Sequence, residues 1–178
     1  MPSDNYILNL AYGSNLHRGR ISARVDIQAT LGVVRLPDWG LRFHKLGSDD
    51  SGKCNLISAP GEVAYGFVYA FSAQDKQTLD EIEGVGKGYR NVALSLATLD
   101  LGASKLKGDE EVFAYLAVDS HINETLIPYD WYHGFVRTGA EQCDFPHAYL
   151  EHIDQFEHRR DPDESRRAQN FAILNNAD

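Results

Sequence analysis

Cysteine is nearly missing from this 178-residue chain: Cys54 and Cys143 are its two, far apart and outside any Cys-x-x-Cys spacing. That argues against a disulfide framework and against a cysteine-built zinc centre, and leaves two reduced, partly buried thiols as the expectation. Basic residues are outnumbered, 17 against 26 acidic, and the formal net charge of −9 sets the overall field against nucleic acid and anionic membrane. Long hydrophobic runs are lacking too. The longest apolar-looking stretch, Val63 to Phe71, is far too short to span a bilayer. The opening Met1-Pro2-Ser3-Asp4-Asn5 has neither a basic region nor a small-residue cleavage site. Together these absences predict a cytoplasmic enzyme or binding protein that works on a small molecule or another protein. They leave the oligomeric state open.

What is present is ordinary for a folded domain. A hydrophobic share of 43% and a charged share of 24% suit one compact unit, and the length allows a core without metals or disulfides. The reading is a domain over residues 1–160, with 161–178 as a helical tail of the same domain. No repeat or low-complexity tract interrupts it.

Along the chain, Tyr6 to Ala11 reads as a buried strand ended by Gly13-Ser14-Asn15. Gly13 is read there as opening dihedrals closed to other residues, with Ser14 and Asn15 as N-cap types for a helix over Leu16 to Val25. That helix carries Arg18, Arg20 and Arg24 on the surface, or turns Arg24 toward the site. Pro37 to Gly40 reads as a turn between two strands, and Ala59-Pro60-Gly61 as another. Trp39 and Phe43 are core candidates. Gly47 to Lys53 is a polar loop, a solvated connection or a lid. In the strand Val63 to Phe71, Gly66 signals a bulge or a close chain passage. Ser72 with Asp75 forms a capping box for a helix with Leu79 and Ile82 on one face, ended by Gly84 in a left-handed conformation. Strands follow at Tyr89 to Leu96 and Val112 to Val118. Helices come last: one with Trp131, Phe135 and Val136 inward, one after Pro146 with Tyr149, Ile153 and Phe156 inward, and one opening at Asp161-Pro162. Strands first and helices after predict an α+β fold, a small mixed, mainly antiparallel β-barrel or curved sheet with flanking helices.

Three chemistries fail on spacing. Gly84-Val85-Gly86-Lys87-Gly88 has Glu81 where a phosphate loop needs glycine and Tyr89 where a dinucleotide fingerprint needs one. His147, His152 and His158 stand five and six residues apart, which scatters them around a helix rather than stacking them for a metal. Ser14 sits in no nucleophile elbow and has no base identifiable beside it. Asp80-Glu81-Ile82-Glu83 holds more promise. Three carboxylates share the last turn of a helix, where the dipole is negative, and such crowding raises the proton affinity of a carboxylate toward the range of a general base. Glu83, beside Gly84, either turns inward or remains an exposed acid softened by Lys87 and Arg90. The free N–H groups at Gly13 to Leu16 suit an anion or a developing oxyanion.

In combination, Tyr12-Gly13-Ser14-Asn15-Leu16, the strand Gly61 to Tyr69 and Leu79-Asp80-Glu81-Ile82-Glu83-Gly84-Val85 resemble the γ-glutamylcyclotransferase-like family, which includes γ-glutamylamine cyclotransferases and AIG2-like proteins. Gly139-Ala140 resembles a turn in its later helical segment, and the likeness runs from about residue 6 to about residue 150. Tyr89 stands one position nearer the glutamate than in the animal pattern. The resemblance implies a cyclotransferase with Glu83 as general acid and base. Tyr12, Gly13, Ser14, Asn15 and Leu16 would hold the substrate, Tyr89 and Tyr132 would wall it in, and no metal or cofactor is called for. A second reading is a non-catalytic binder of γ-glutamyl or 5-oxoproline groups in the same pocket.

Overall fold

The computed structural model describes residues 6–176; the reading of Met1 to Asn5 as leaderless, and the last two residues of the tail, lie outside them. Five strands form one sheet in the order β2-β3-β1-β5-β4. Strand β1 (Ile7–Ala11) lies between β3 (Gly52–Phe71), to which it is antiparallel, and β5 (Val112–Ala117), to which it is parallel. Strand β4 (Tyr89–Leu94) pairs antiparallel with β5, and β2 (Ala29–Leu46) pairs antiparallel with β3. Of the two shapes expected, the curved open sheet is the one found, since β2 and β4 do not pair to close a barrel. The outer edge of β2 is instead covered by the segment after β4: Arg35 and Asp100 exchange backbone hydrogen bonds, and Lys105 donates to the Leu31 carbonyl.

The turns expected at Pro37–Gly40 and Ala59–Gly61 are absent as chain reversals. Both fall within one long hairpin and face each other, with Pro37 opposite Val63 and Trp39 opposite Ser58. Asp38 takes a left-handed φ of 62° and Gly61 one of 85°, and the Gly61 N–H donates to Asp38 Oδ1 at 2.8 Å. Two local turn signals thus cancel into a paired bulge that lets both strands run on. Gly66 stays in register, and its role is close passage: a Cβ there would meet the Leu10 side chain within 2.6 Å at Cγ.

The expected helix after the first strand is broken in two. A 3₁₀ turn covers Ser14–Leu16, and α1 spans only Arg18–Ser22, capped by His17, whose Nδ1 accepts from the Arg20 N–H. Ser14 and Asn15 do not cap it because their side chains are engaged elsewhere, as described below. In α2 (Ala73–Glu83), Ser72 caps through the Asp75 N–H at 3.0 Å, and Gly84 closes the helix at φ 70°. Leu79 is fully buried, but Ile82 is 45% exposed, because the last turn of α2 faces an opening rather than the core.

Helix α3 (Asp130–Gln142) buries Trp131, Phe135 and Val136. Gly139-Ala140 lies inside α3, not in a turn; a Cβ on Gly139 would come 2.6 Å from the Leu16 carbonyl carbon, so glycine lets α3 pack against the chain just after β1. Helix α4 (His147–Asp154) buries Tyr149 and Ile153, with Phe156 partly buried just past its end. Helix α5 (Glu164–Asn175) is capped by Asp163, two residues later than expected. Asp161 is thereby left to bind elsewhere. Buried, it accepts from Trp131 Nε1 at 2.8 Å and from Arg166 at 2.6 and 2.7 Å.

Candidate active site

Where β1 ends, the chain opens a narrow cleft lined by Tyr12 to Asn15, Cys54, Glu83, Tyr89, Tyr115 and Tyr132, with Asn9 to Ala11 at its base. Gly13 is required here for space. A Cβ there would fall 2.8 Å from Cys54 Cβ. The N–H groups of Gly13, Ser14 and Asn15 donate to no backbone or side-chain acceptor among the described residues, whereas those of Leu16 and His17 close the 3₁₀ turn on Gly13 and Ser14. Leu16 is fully buried beneath the cleft and does not line it.

Glu83 reaches the cleft from the end of α2, its side chain only 16% exposed. Asn15 Nδ2 and Arg24 Nη1 both donate to its Oε1, each at 2.8 Å, and Arg24 also donates to Asn15 Oδ1 at 3.0 Å. Oε2 accepts from none of them. The carboxylate is held by one oxygen and presents the other. The crowding expected among the three acids is relieved in the structure. Asp80 pairs with Lys76 and accepts from Tyr115 Oη at 2.7 Å, and Glu81 points to solvent.

Two of the tyrosines, Tyr89 and Tyr132, are fixed by the backbone of a single residue. Tyr89 Oη donates to the Cys54 carbonyl at 2.6 Å, while Tyr132 Oη accepts from the Cys54 N–H at 3.0 Å. Tyr12 Oη donates to the Tyr115 carbonyl. Tyr132 therefore keeps its own proton for a further acceptor. Burial pushes all three hydroxyls well above the usual tyrosine range, so they serve as neutral donors and acceptors. Burial likewise pushes the Cys54 thiol up, which makes it a wall rather than a nucleophile.

Outside the cleft lies a polar vestibule of about 230 Å³ that shares Ser14, Glu83, Tyr89 and Tyr132 with it. Its other walls are Arg20, Arg24, Lys45, Lys53, Trp131, Ile82 and the loop Gly47 to Asp49. Arg20 leaves the surface assigned to it: its Nε donates to Ser14 Oγ at 3.1 Å and its guanidinium stacks on Phe135 at 4.6 Å. Lys53 Nζ lies 4.8 Å from the Trp131 ring and 4.6 Å from that of Tyr132, paired with Asp49 at 2.7 Å. The polar loop thus contributes a wall to the site. Sequence reasoning missed Cys54, Tyr115, Arg20, Lys45 and Lys53. Lysines beside a polar loop read as solvated, and only the pairing of β2 with β3 brings these two together. His147 is exposed and His158 stacks on His133, and no cluster of metal-ligand type occurs among the described residues. No helix among the described residues is long and apolar enough to cross a membrane.

The sequence profile of the AIG2-like family matches residues 63–153, about half of the chain, a span that holds Glu83, Tyr89 and Tyr132. The chain is 28% identical over 162 residues to the gamma-glutamylcyclotransferase of Homo sapiens, covering 88% of this chain and 81% of that one. With the Mus musculus gamma-glutamylcyclotransferase the identity is 27% over 155 residues, covering 84% and 78%. A solved structure of a gamma-glutamyl cyclotransferase superposes with a TM-score of 0.78 at 23% identity, over 96% of this chain and 99% of that chain, a likeness of fold.

Proposed function

The chain belongs to the AIG2-like family, and from that premise we propose that it is a γ-glutamylcyclotransferase in which Glu83 acts as general base and then general acid. The substrate's α-ammonium would sit against Glu83 Oε2 and give up a proton, so that the amine nitrogen attacks the γ-carbonyl of the same molecule. A C–N bond closes a five-membered lactam and the original amide C–N bond breaks. Of the three ammonium protons, one stays on the lactam nitrogen and two end on the departing amine. The products are 5-oxoproline and a free amine, amino acid or peptide.

The observation that carries this reading is the state of Glu83: inward, anchored through Oε1 by Asn15 and Arg24, with Oε2 free beside the unpaired N–H groups of Gly13 to Asn15. Those donors suit either the γ-carbonyl oxygen as charge builds on it or the α-carboxylate. Tyr132 has a proton to give and Tyr89 a lone pair to receive one, which suits a ligand carrying both kinds of group. Nucleophile and electrophile belong to one molecule, so the protein has mainly to hold it folded, an advantage of up to about 7–11 kcal/mol in favourable cases.

The test is release of 5-oxoproline from γ-glutamyl dipeptides, glutathione and γ-glutamyl-lysine. Glu83→Gln keeps an oxygen for Asn15 and Arg24 but cannot relay the proton, and the expected loss in kcat is about 10²–10⁴-fold. Equal turnover by both proteins would remove Glu83 from the reaction. Tight 5-oxoproline binding without turnover of any γ-glutamyl compound would favour the non-catalytic binder.

A further inference from the structure

The vestibule is positively charged in a chain that is negative overall. Arg20, Arg24, Lys45 and Lys53 line it against two carboxylates, Glu83 and Asp49. Arg24 is held by Glu83 and Lys53 by Asp49, at 2.8 and 2.7 Å. Arg20 and Lys45 have no carboxylate at ion-pair distance among the described residues. Arg20 donates to two neutral groups, Ser14 Oγ and Asn170 Oδ1, and Lys45 Nζ lies 4.3 Å over the Tyr89 ring. Lys45 as a residue is 9% exposed, and its ammonium lines the vestibule without an acid at ion-pair distance among the described residues. Burial draws both groups below their usual values, Arg20 to about 10, with Glu83 and Asp49 opposing the shift of Lys45 from farther off. A bound anion would offset the desolvation cost of these two cations.

Position says which part of a ligand that anion belongs to. Ser14, Glu83, Tyr89 and Tyr132 line both compartments, so a γ-glutamyl group bound at Glu83 would have the vestibule, with Lys45 beside Tyr89, open to its leaving amine. Charge says how much is needed. Four cations against two carboxylates leave an excess of two positive charges in the vestibule. A γ-glutamyl dipeptide with a neutral leaving residue has one ammonium and two carboxylates, a net charge of minus one. An acidic leaving residue brings the ligand to minus two, which balances the site.

Resting on the cyclotransferase reading, we propose that Arg20 and Lys45 form a leaving-group subsite that selects γ-glutamyl compounds whose departing residue carries an acidic side chain. They are specificity-determining residues and do not touch the reacting atoms. The discriminating pair is γ-glutamyl-glutamate and γ-glutamyl-glutamine, which match in shape and differ by one charge. The expected kcat/KM ratio is about tenfold in favour of the glutamate compound at low salt, narrowing as salt is added, with γ-glutamyl-lysine poorer than both. Lys45→Gln should reduce the ratio several-fold. Equal use of the two compounds by the wild type, or a preference indifferent to salt and to Lys45→Gln, overturns the proposal. The wild-type ratio decides the matter even if the variant folds poorly. Absence of 5-oxoproline from every γ-glutamyl compound would instead overturn the reading on which the proposal rests.

Discussion

Single atoms govern the candidate site. A methyl group added at Gly13 would lie 2.8 Å from Cys54 Cβ and 3.7 Å from Tyr132 Oη. Cys54 is the residue whose N–H and carbonyl hold Tyr132 and Tyr89, so displacing it loosens both tyrosines at once. Gly13→Ala is expected to cost about 1–3 kcal/mol of stability, as overpacking of a filled site does, and to reduce kcat/KM beyond what lost folded protein explains. Urea midpoints alongside rates per folded molecule check this, and an unchanged midpoint would mean that β3 yields easily at Cys54. At this scale the sequence was legible where chemistry is local. The run from Tyr12 to Asn15 and the glutamate before Gly84 stand out as candidates by type, and their resemblance to one family, not spacing alone, joined them into a site. Cys54 did not, because its part is played by backbone groups that any residue possesses.

Elements carry the site to its place, and the last of them acts at a distance. Helix α5 holds Arg166, which with Trp131 Nε1 converges on buried Asp161. Trp131 is in turn a wall of the vestibule. The hydrogen-bonded Arg166 guanidinium, aided by the Trp131 N–H, holds the Asp161 carboxyl well below the usual carboxylate range. A carboxyl depressed in the folded state contributes stability above its unfolded value and loses it as pH falls through the folded one. Asp161→Asn should therefore destabilise by about 1–3 kcal/mol at pH 7, the cost of leaving a buried polar partner unmatched. The deficit relative to wild type should shrink as pH falls below about 4, the ordinary aspartate value. Urea unfolding at pH 7 and pH 3 measures it, and a deficit of the same size at both would show that the carboxylate charge is not what matters. The sequence marked Asp161 as a helix cap because a proline follows it. That signal is right about the helix and two residues early, since tertiary contacts recruit Asp161 and leave the cap to Asp163. The same override erased two turns: Pro37–Gly40 and Ala59–Gly61 each carry a local turn signal, and their facing positions in the hairpin make them a bulge instead.

For the whole molecule, opposite tendencies in charge are kept apart by the fold. The chain carries nine negative charges in excess, yet its vestibule gathers four cations from β2, β3 and the α1 region. Composition reads the first and is blind to the second, because a net charge has no address until strands separated in sequence are paired. Stability against acid is likewise collective. Burial lowers His17 and His133 below the ordinary histidine value of 6.5, and each is tied to backbone, His17 Nδ1 accepting from the Arg20 N–H and His133 Nε2 against the Ile153 carbonyl. His158 and Arg137 add to the shift at His133 while Asp154 opposes it, and Arg20 adds to that at His17. Between the folded values and 6.5 the unfolded chain binds protons that the folded one refuses, so stability must fall as pH drops through that window. Lys53, drawn by burial to about 8 against 10.5, slopes the same way at its upper end, because loss of its proton relieves a buried charge. Asp49 and Asp161, both depressed, stay ionised throughout and contribute no slope there. The melting temperature should therefore rise steadily from pH 5.5 to pH 7.5 in calorimetry at constant ionic strength. Replacing His133 by a neutral residue that can donate to the same carbonyl, His133→Gln, should flatten the lower part of that rise. A melting temperature independent of pH across this interval would mean that both imidazoles take up protons in the folded state as readily as in the unfolded chain, and that the packing of α3 against α4 and of α1 against α3 opens to water far more freely than their burial implies.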